Sequence, residues 1–96
     1  MMHPPDMIDG SRVIRWSVID PRHHPTGNCR HIIRGKLQGP VAGLAICQYQ
    51  GKDGYYLFGC DSNWDCLTDT WHDSLEDALS QAEFEYEDVS KTWNVV

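Results

Sequence analysis

The residues whose types could bind a metal ion or a small ligand are concentrated in one stretch of the chain. His23, His24, Cys29 and His31 fall within residues 23–31, and imidazole and thiolate are groups that zinc prefers. Their spacings match no standard zinc pattern, and adjacent histidines on an extended chain point apart. We therefore keep these four residues as an alternative ligand site for a metal ion or small molecule, and we predict no bound cofactor.

Thiol chemistry is a second possibility, because the chain contains 4 cysteines. Residues 1–11 lack the basic and apolar regions of a signal peptide, so we expect a cytoplasmic protein with reduced thiols. Cys60 and Cys66 flank a short turn and could face each other across two strands, although a disulfide is not expected in a reducing compartment. Cys47 lies in an apolar run, which predicts a small buried side chain.

Motifs with a known catalytic mechanism are missing from the sequence. It contains no GxSxG, no phosphate-binding glycine loop and no HExxH. A nucleophilic cysteine would need surroundings that stabilise its thiolate, and sequence alone does not define them. We therefore favour a non-enzymatic function.

A helix over residues 74–89 must position most of the acidic side chains. Ser74 is a suitable N-cap, with Asp77 three residues later in a capping-box pattern. Apolar residues recur at intervals of three and four, which predicts one buried stripe. The members of the stripe are Leu75, Ala78, Leu79, Ala82, Tyr86 and Val89.

The opposite side of this predicted helix combines carboxylates with an aromatic ring, Phe84. In one interpretation, residues 91–96 fold back and Trp93 or Val95 packs on Phe84. In the other, Phe84 is an exposed anchor for a basic protein partner, because aromatic residues dominate binding hot spots and the surrounding charge steers the encounter. The acids of this predicted partner surface are Glu76, Asp77, Glu83, Glu87 and Asp88.

The rest of the sequence reads as short strands in a single domain over residues 1–96, with residues 1–11 as a mobile or loosely docked arm. Runs rich in β-branched and aromatic residues predict an antiparallel meander of about five strands, followed by the helix. We therefore expect an α+β fold with the amphipathic helix packed on one sheet face. The predicted strands are residues 12–19, 30–37, 44–49, 55–60 and 66–70.

The second sheet face should be rich in aromatic residues. One helix covers one face only, and alternation sends several strand aromatics to the other side. An aromatic face is unfavourable in water, so we expect it to be covered by the arm and loops, by a ligand, or by a second copy of the chain in a homodimer.

The second predicted strand, residues 30–37, carries a basic stripe. Arg30, Arg34 and Lys36 alternate onto one face of this strand. Such a stripe is typical of a solvated strand face that can pair with acids, and its spacing could also follow a phosphate backbone.

Charge is unevenly divided along the chain. Residues 1–52 contain seven Lys or Arg and three Asp, a balance of +4, whereas residues 53–96 contain one Lys and eleven acids, a balance of −10. The two halves could neutralise each other, or the acidic half could recruit a cationic partner. The total of −6 disfavours nucleic-acid binding, and no apolar run is long enough to span a membrane.

The C-terminal half resembles a type of small, functionally uncharacterised bacterial protein. The resemblance rests on a strand, a D-x-x-W turn at residues 61–64, a second strand ending in Asp-Thr, and a helix of SLEDA…QAEFEY character. It implies an α+β architecture and carries no activity, so no catalytic residue follows from it.

Overall fold

The chain folds into an antiparallel sheet with a helix packed on one face. The computed structural model describes residues 3–20, 23, 25–27, 32–33, 36–37 and 40–96. Helix α1 spans Leu75–Glu85, and a short 3-10 helix follows at Val89–Lys91. The strands are β1 (Met7–Ile8), β2 (Ser11–Val18), β3 (Ile32–Ile33), β4 (Lys36–Leu37), β5 (Gly43–Gln48), β6 (Tyr55–Cys60), β7 (Cys66–His72) and β8 (Asn94–Val95).

The main sheet has the order β1-β2-β5-β6-β7, with every pairing antiparallel. Strand β8 also pairs with β2, so segments from both ends of the chain lie against that strand. The predicted α+β meander with one helix near the C-terminus is confirmed. Among the described residues, no helix is long and apolar enough to cross a bilayer.

Alternation along the strands separates two apolar clusters, one on each face of the sheet. The cluster beneath α1 contains Val41, Leu44, Ile46, Leu57, Ala78, Ala82, Tyr86 and Val89. The cluster on the second face contains Ile8, Val13, Ala45, Cys47, Phe58, Cys60 and Trp64. The arm residue Ile8 and the turn residue Trp64 thus help to cover the second face, as expected for the arm and loops.

Helix α1 begins as predicted and ends earlier than predicted. The Ser74 hydroxyl accepts the Asp77 N–H at 3.0 Å, which satisfies one of the free amides of the first turn. The helix stops at Glu85, so the predicted extension to Val89 is wrong. Thr26 explains the stop, because its backbone N–H donates to the Glu85 carbonyl at 2.9 Å and its hydroxyl donates to the Phe84 carbonyl.

Beyond the helix, Tyr86 leaves the helical path and inserts into the core. Its backbone is extended, with φ −136°, and its phenolic oxygen accepts the Val41 N–H at 3.0 Å. Asp88 then adopts a left-handed conformation, with φ 63°, before the 3-10 helix. The apolar stripe therefore continues over Tyr86 and Val89 without a continuous helix.

One further prediction differs from the structure. The single strand predicted over residues 30–37 is wrong, because Ile32–Ile33 and Lys36–Leu37 pair with each other in a separate two-stranded sheet. In the arm, Met7–Ile8 pairs with β2 and Ile8 is buried, so this part of the arm is docked in the sheet.

Candidate partner-binding surface

An acidic segment with one exposed aromatic ring joins the last strand of the sheet to the helix. It covers residues 69–77, which we call the strand–helix corner. This segment contains four acids and no Lys or Arg. Asp69, Asp73, Glu76 and Asp77 are all exposed, and so is Trp71.

Trp71 is held in place by its position on β7. It lies opposite Tyr56 of β6, and alternation places its side chain on the second face of the sheet. A Cβ atom added to Gly54 would meet the Trp71 Nε1 atom at 2.0 Å, so the indole lies directly across this glycine. Although one side of the ring is covered in this way, the side chain remains 58% exposed.

The acids around Trp71 have few partners. Within the described part of the chain, Asp69, Asp73 and Glu76 make no side-chain hydrogen bond or ion pair. Asp69 lies opposite Phe58 and shares the second face with Trp71, two residues away. Asp69 therefore places negative charge on the same sheet face as the exposed Trp71, with Asp73 two residues further along the chain, whereas Glu76 belongs to the helix that packs on the other face.

Within the strand–helix corner, the buried His72 forms hydrogen bonds through both of its ring nitrogens. His72 Nδ1 lies 2.6 Å from Asp77 Oδ2, and His72 Nε2 lies 2.7 Å from the Thr70 hydroxyl. Because a carboxylate can only accept, Nδ1 donates to Asp77, and in a neutral imidazole Nε2 accepts from Thr70. This series of side-chain hydrogen bonds, the chain Thr70–His72–Asp77, therefore connects β7 to the first turn of α1.

The order hydroxyl, imidazole, carboxylate in this chain also occurs in serine hydrolases, where it activates a nucleophile. Here Thr70 and His72 are two residues apart on one strand, and Asp77 belongs to the capped turn of the helix. We therefore assign the chain Thr70–His72–Asp77 a structural role, which is to hold the helix start in register with the strand.

The predicted partner surface around Phe84 is more divided than the sequence suggested. Phe84 is 49% exposed at the end of α1, but Glu87 and Asp88 lie beyond the helix. Asp88 pairs with Lys91 at 3.4 Å, and Glu83 accepts the backbone N–H of Ser90 at 3.3 Å. Several acids of this surface are thus already engaged.

The C-terminal residues 91–96 also differ from the interpretation in which they fold back onto Phe84. Trp93 packs against the apolar cluster beneath α1. Val95 pairs with Arg15 of β2 and is largely exposed. Neither arrangement places these side chains where the sequence interpretation expected them.

The alternative ligand site is represented by one described residue, His23, which is buried. Its Nε2 lies 2.8 Å from the Thr92 hydroxyl, and its Nδ1 accepts the Asp20 N–H at 3.1 Å. Both ring nitrogens are thus used inside the protein. His24, Cys29 and His31 lie outside the described residues, and among those that are described no group of three or more His, Cys, Asp or Glu could hold a metal ion.

The basic stripe also falls largely outside the described residues, which include neither Arg30 nor Arg34. The backbone of Lys36 pairs with Ile33 in the small β3–β4 sheet.

A groove of about 880 Å³ also opens on the surface of the molecule. It runs between the N-terminal arm and the β5–β6 turn, and the sequence analysis did not predict it. Residues lining it include His3, Asp6, Arg12, Trp16, Tyr49 and Lys52.

Sequence reasoning also missed Trp71, since it placed this residue in the connection after a strand ending at Thr70. The available signal was the alternation of Asp69, Trp71 and Asp73 with Thr70 and His72. This alternation continues the strand pattern two residues past Thr70, to His72. The contact between Trp71 and Gly54 could not be read from the sequence, because it depends on the register between β6 and β7.

Comparisons with known proteins add no family to these observations. A scan against protein-family models and searches of curated proteins and of solved structures found no match to this chain. The α+β architecture implied by the resemblance is present, while its bacterial origin and its motifs stay predictions.

Proposed function

We propose that this protein is a non-enzymatic interaction module that binds an extended, basic segment of a partner protein at the strand–helix corner. The observation that carries the proposal is the exposure of Trp71 among carboxylates that lack partners in the described part of the chain. Tryptophan is the aromatic residue that attracts Lys and Arg side chains most strongly. It is also enriched among the residues that dominate binding energy.

The sheet edge gives this partner a way to bind along β7. Strand β7 is the last in the sheet order, and no described strand pairs with its outer edge. An extended peptide added there would gain main-chain hydrogen bonds. Its same-face side chains would repeat at about 6.6 to 6.8 Å, the spacing of Asp69 and Trp71 along β7. A partner with alternating Lys or Arg would therefore match the corner.

Two other surfaces are less suitable for the same role. In the buried cluster of the second sheet face, Phe58 is 2% and Trp64 is 6% exposed, so these two rings offer little area to a second copy of the chain. At Phe84, the nearby acids Glu83 and Asp88 already have partners. We therefore centre the proposal on Trp71 with Asp69 and Asp73, and from the predicted partner surface we retain Glu76 only, because Asp77 is already bonded to His72.

A direct test is the binding of a fluorescent peptide of alternating arginine and valine, followed by anisotropy. Trp71→Ala should weaken binding about thirtyfold or more, because truncating a binding hot spot costs about 2 kcal/mol or more. Phe84→Ala is the matched control, since it also removes a half-exposed aromatic ring, and it should change the dissociation constant by less than about twofold. Binding should also weaken as salt is added, because the attraction is electrostatic.

Charge variants distinguish binding at the strand–helix corner from binding to the overall negative charge of the protein. Asp69→Asn combined with Glu76→Gln should weaken binding and reduce its salt dependence, whereas Glu87→Gln should do neither. Equal binding by Trp71→Ala and the wild type would refute the proposal. A loss caused by Phe84→Ala instead would return the site to the end of the helix.

A further inference from the structure

Cys60 and Cys66 face each other across the hairpin formed by β6 and β7. They are direct partners in the register of the two strands, and both are free thiols. Gly59 pairs with Thr68, so Leu67 is an extra residue in β7, a β-bulge. The bulge lets Leu67 pack beneath the helix while Cys66 packs on the second face, beside the cluster that contains Cys60.

The local hydrogen bonds identify the type of this cross-strand pair. The Asp61 N–H donates to the Asp65 carbonyl at 3.0 Å and the Asp65 N–H donates to the Asp61 side-chain Oδ1 at 3.0 Å, so one backbone hydrogen bond joins residues 61 and 65 in the position of a hydrogen-bonded pair. Such pairs alternate with non-hydrogen-bonded pairs, whose Cα atoms are about 4.5 Å apart and whose side chains are closer. Cys60 and Cys66 occupy the neighbouring, non-hydrogen-bonded position. This separation lies within the range of about 4.4 to 6.8 Å found for disulfides.

From this geometry we propose that Cys60 and Cys66 form a reversible disulfide by exchange with a small-molecule disulfide such as oxidised glutathione. Cys66 is the entry thiol, because it is partly exposed whereas Cys60 is fully buried. The reaction joins the start of the β7 edge strand to the end of β6. It is independent of the proposed binding function.

The exchange proceeds in two balanced steps. Cys66 loses its proton to solvent, and its thiolate attacks one sulfur of oxidised glutathione, which releases one glutathione thiolate. The Cys60 thiolate then attacks the Cys66 sulfur of this mixed disulfide and releases the second glutathione. The two cysteines are oxidised, the small-molecule disulfide is reduced to two thiols, and each released thiolate takes up a proton.

Burial controls the rate of this exchange. Desolvation raises the pKa of Cys66 to about 11 and that of Cys60 to about 12. Because only the thiolate attacks, the reaction should be slow at pH 7 and should accelerate about tenfold per pH unit until the Cys66 pKa is approached.

Cys47 supplies the matched control. It is also fully buried, and desolvation raises its pKa to about 12. Its partner in the register is Tyr56, four residues along β6 from Cys60, a separation of about 13 Å. Cys47 should therefore remain a free thiol while Cys60 and Cys66 are oxidised.

The experiment treats the folded protein with oxidised glutathione at several pH values, blocks free thiols under denaturing conditions, and analyses the tryptic peptide 53–91. This peptide contains Cys60 and Cys66 and no other cysteine. We expect it to lose about 2 Da, to resist alkylation, and to regain both thiols in dithiothreitol. Cys47→Ser should behave like the wild type, whereas Cys66→Ser should leave Cys60 reduced.

Two results would overturn the proposal, and both come from the wild-type protein, so they do not depend on whether a variant folds. One is a stable mixed disulfide on Cys66, with about 305 Da added to the peptide, since Cys60 would then have failed to resolve it. The other is full alkylation of both cysteines after prolonged treatment at pH 10.

Discussion

At the scale of single residues, His72 is the side chain that connects the sheet to the start of the helix. It is buried, both its ring nitrogens are bonded, and its partners come from β7 and from the first turn of α1. Removing such a side chain leaves Thr70 and Asp77 without their partner. Asp77 is exposed, so water can replace its lost bond, and the cost comes mainly from the lost packing of the buried imidazole and from the lost connection between β7 and α1.

We expect His72→Ala to lower the free energy of unfolding by about 2 kcal/mol. The measurement is urea denaturation followed by circular dichroism. His3→Ala, which removes an exposed histidine, is the control and should stay within about 0.5 kcal/mol of the wild type. If His72→Ala were as stable as the control, the chain Thr70–His72–Asp77 would not hold the helix.

The assignment of a structural role to Thr70 can be checked separately. A fluorophosphonate probe labels activated hydroxyl nucleophiles, and we expect it to leave Thr70 unmodified. Labelling that disappears in Thr70→Ala would instead identify a hydrolase.

Single residues were also where sequence reasoning was least complete. The four candidate ligands were chosen by type, yet His23 turns inward because Thr92 and Asp20 are available to bond its ring. Trp71 was missed because its surroundings include Gly54, which lies just before β6 in the connection from β5. Both outcomes are set by contacts between segments distant in sequence, which residue type and local spacing do not specify.

At the scale of elements, the start of the helix could be predicted and its end could not. Ser74, Asp77 and the first apolar residues define the start locally, through a cap that lies entirely within the segment. The end is set by Thr26, which bonds the last carbonyls from a loop more than fifty residues earlier in the chain. A periodic apolar stripe therefore overestimated the helix.

The local cap leads to a prediction for the helix. Ser74→Ala should destabilise the protein by about 1 kcal/mol, because the Asp77 N–H loses its acceptor. Chemical denaturation provides the measurement. Ser80→Ala makes the same change at an exposed position within the helix, where it should be neutral or slightly stabilising. Equal effects of the two substitutions would show that Ser74 does not act as a cap.

The strands likewise include one that the sequence predicts with the observed bounds and one that it does not. Residues 55–60 were predicted with the observed bounds, because the YYLFGC run is apolar on both faces and turns flank it. The predicted strand 30–37 is replaced by two short strands, β3 and β4, which pair antiparallel. Its alternating residues fit one long strand as well as they fit two short ones, so the pattern alone could not separate these possibilities.

At the scale of the whole molecule, the uneven charge becomes a surface feature. Among the described residues, the one pair between a Lys or Arg and a carboxylate is Lys91 with Asp88, and both come from the acidic half. Asp69, Asp73 and Glu76 remain exposed in the segment that carries Trp71. The total charge was evident from composition, but its concentration near an exposed ring required the fold.

The measurement that tests the binding claim most directly is a two-dimensional ¹H–¹⁵N NMR titration of the protein with the alternating arginine–valine peptide. Our account predicts that the largest shift changes occur at the amides of residues 66–77 and at the Trp71 indole N–H. The largest changes at residues 84–91, or at the groove residues 3–6 and 48–52, would contradict it and would place the partner elsewhere on the molecule.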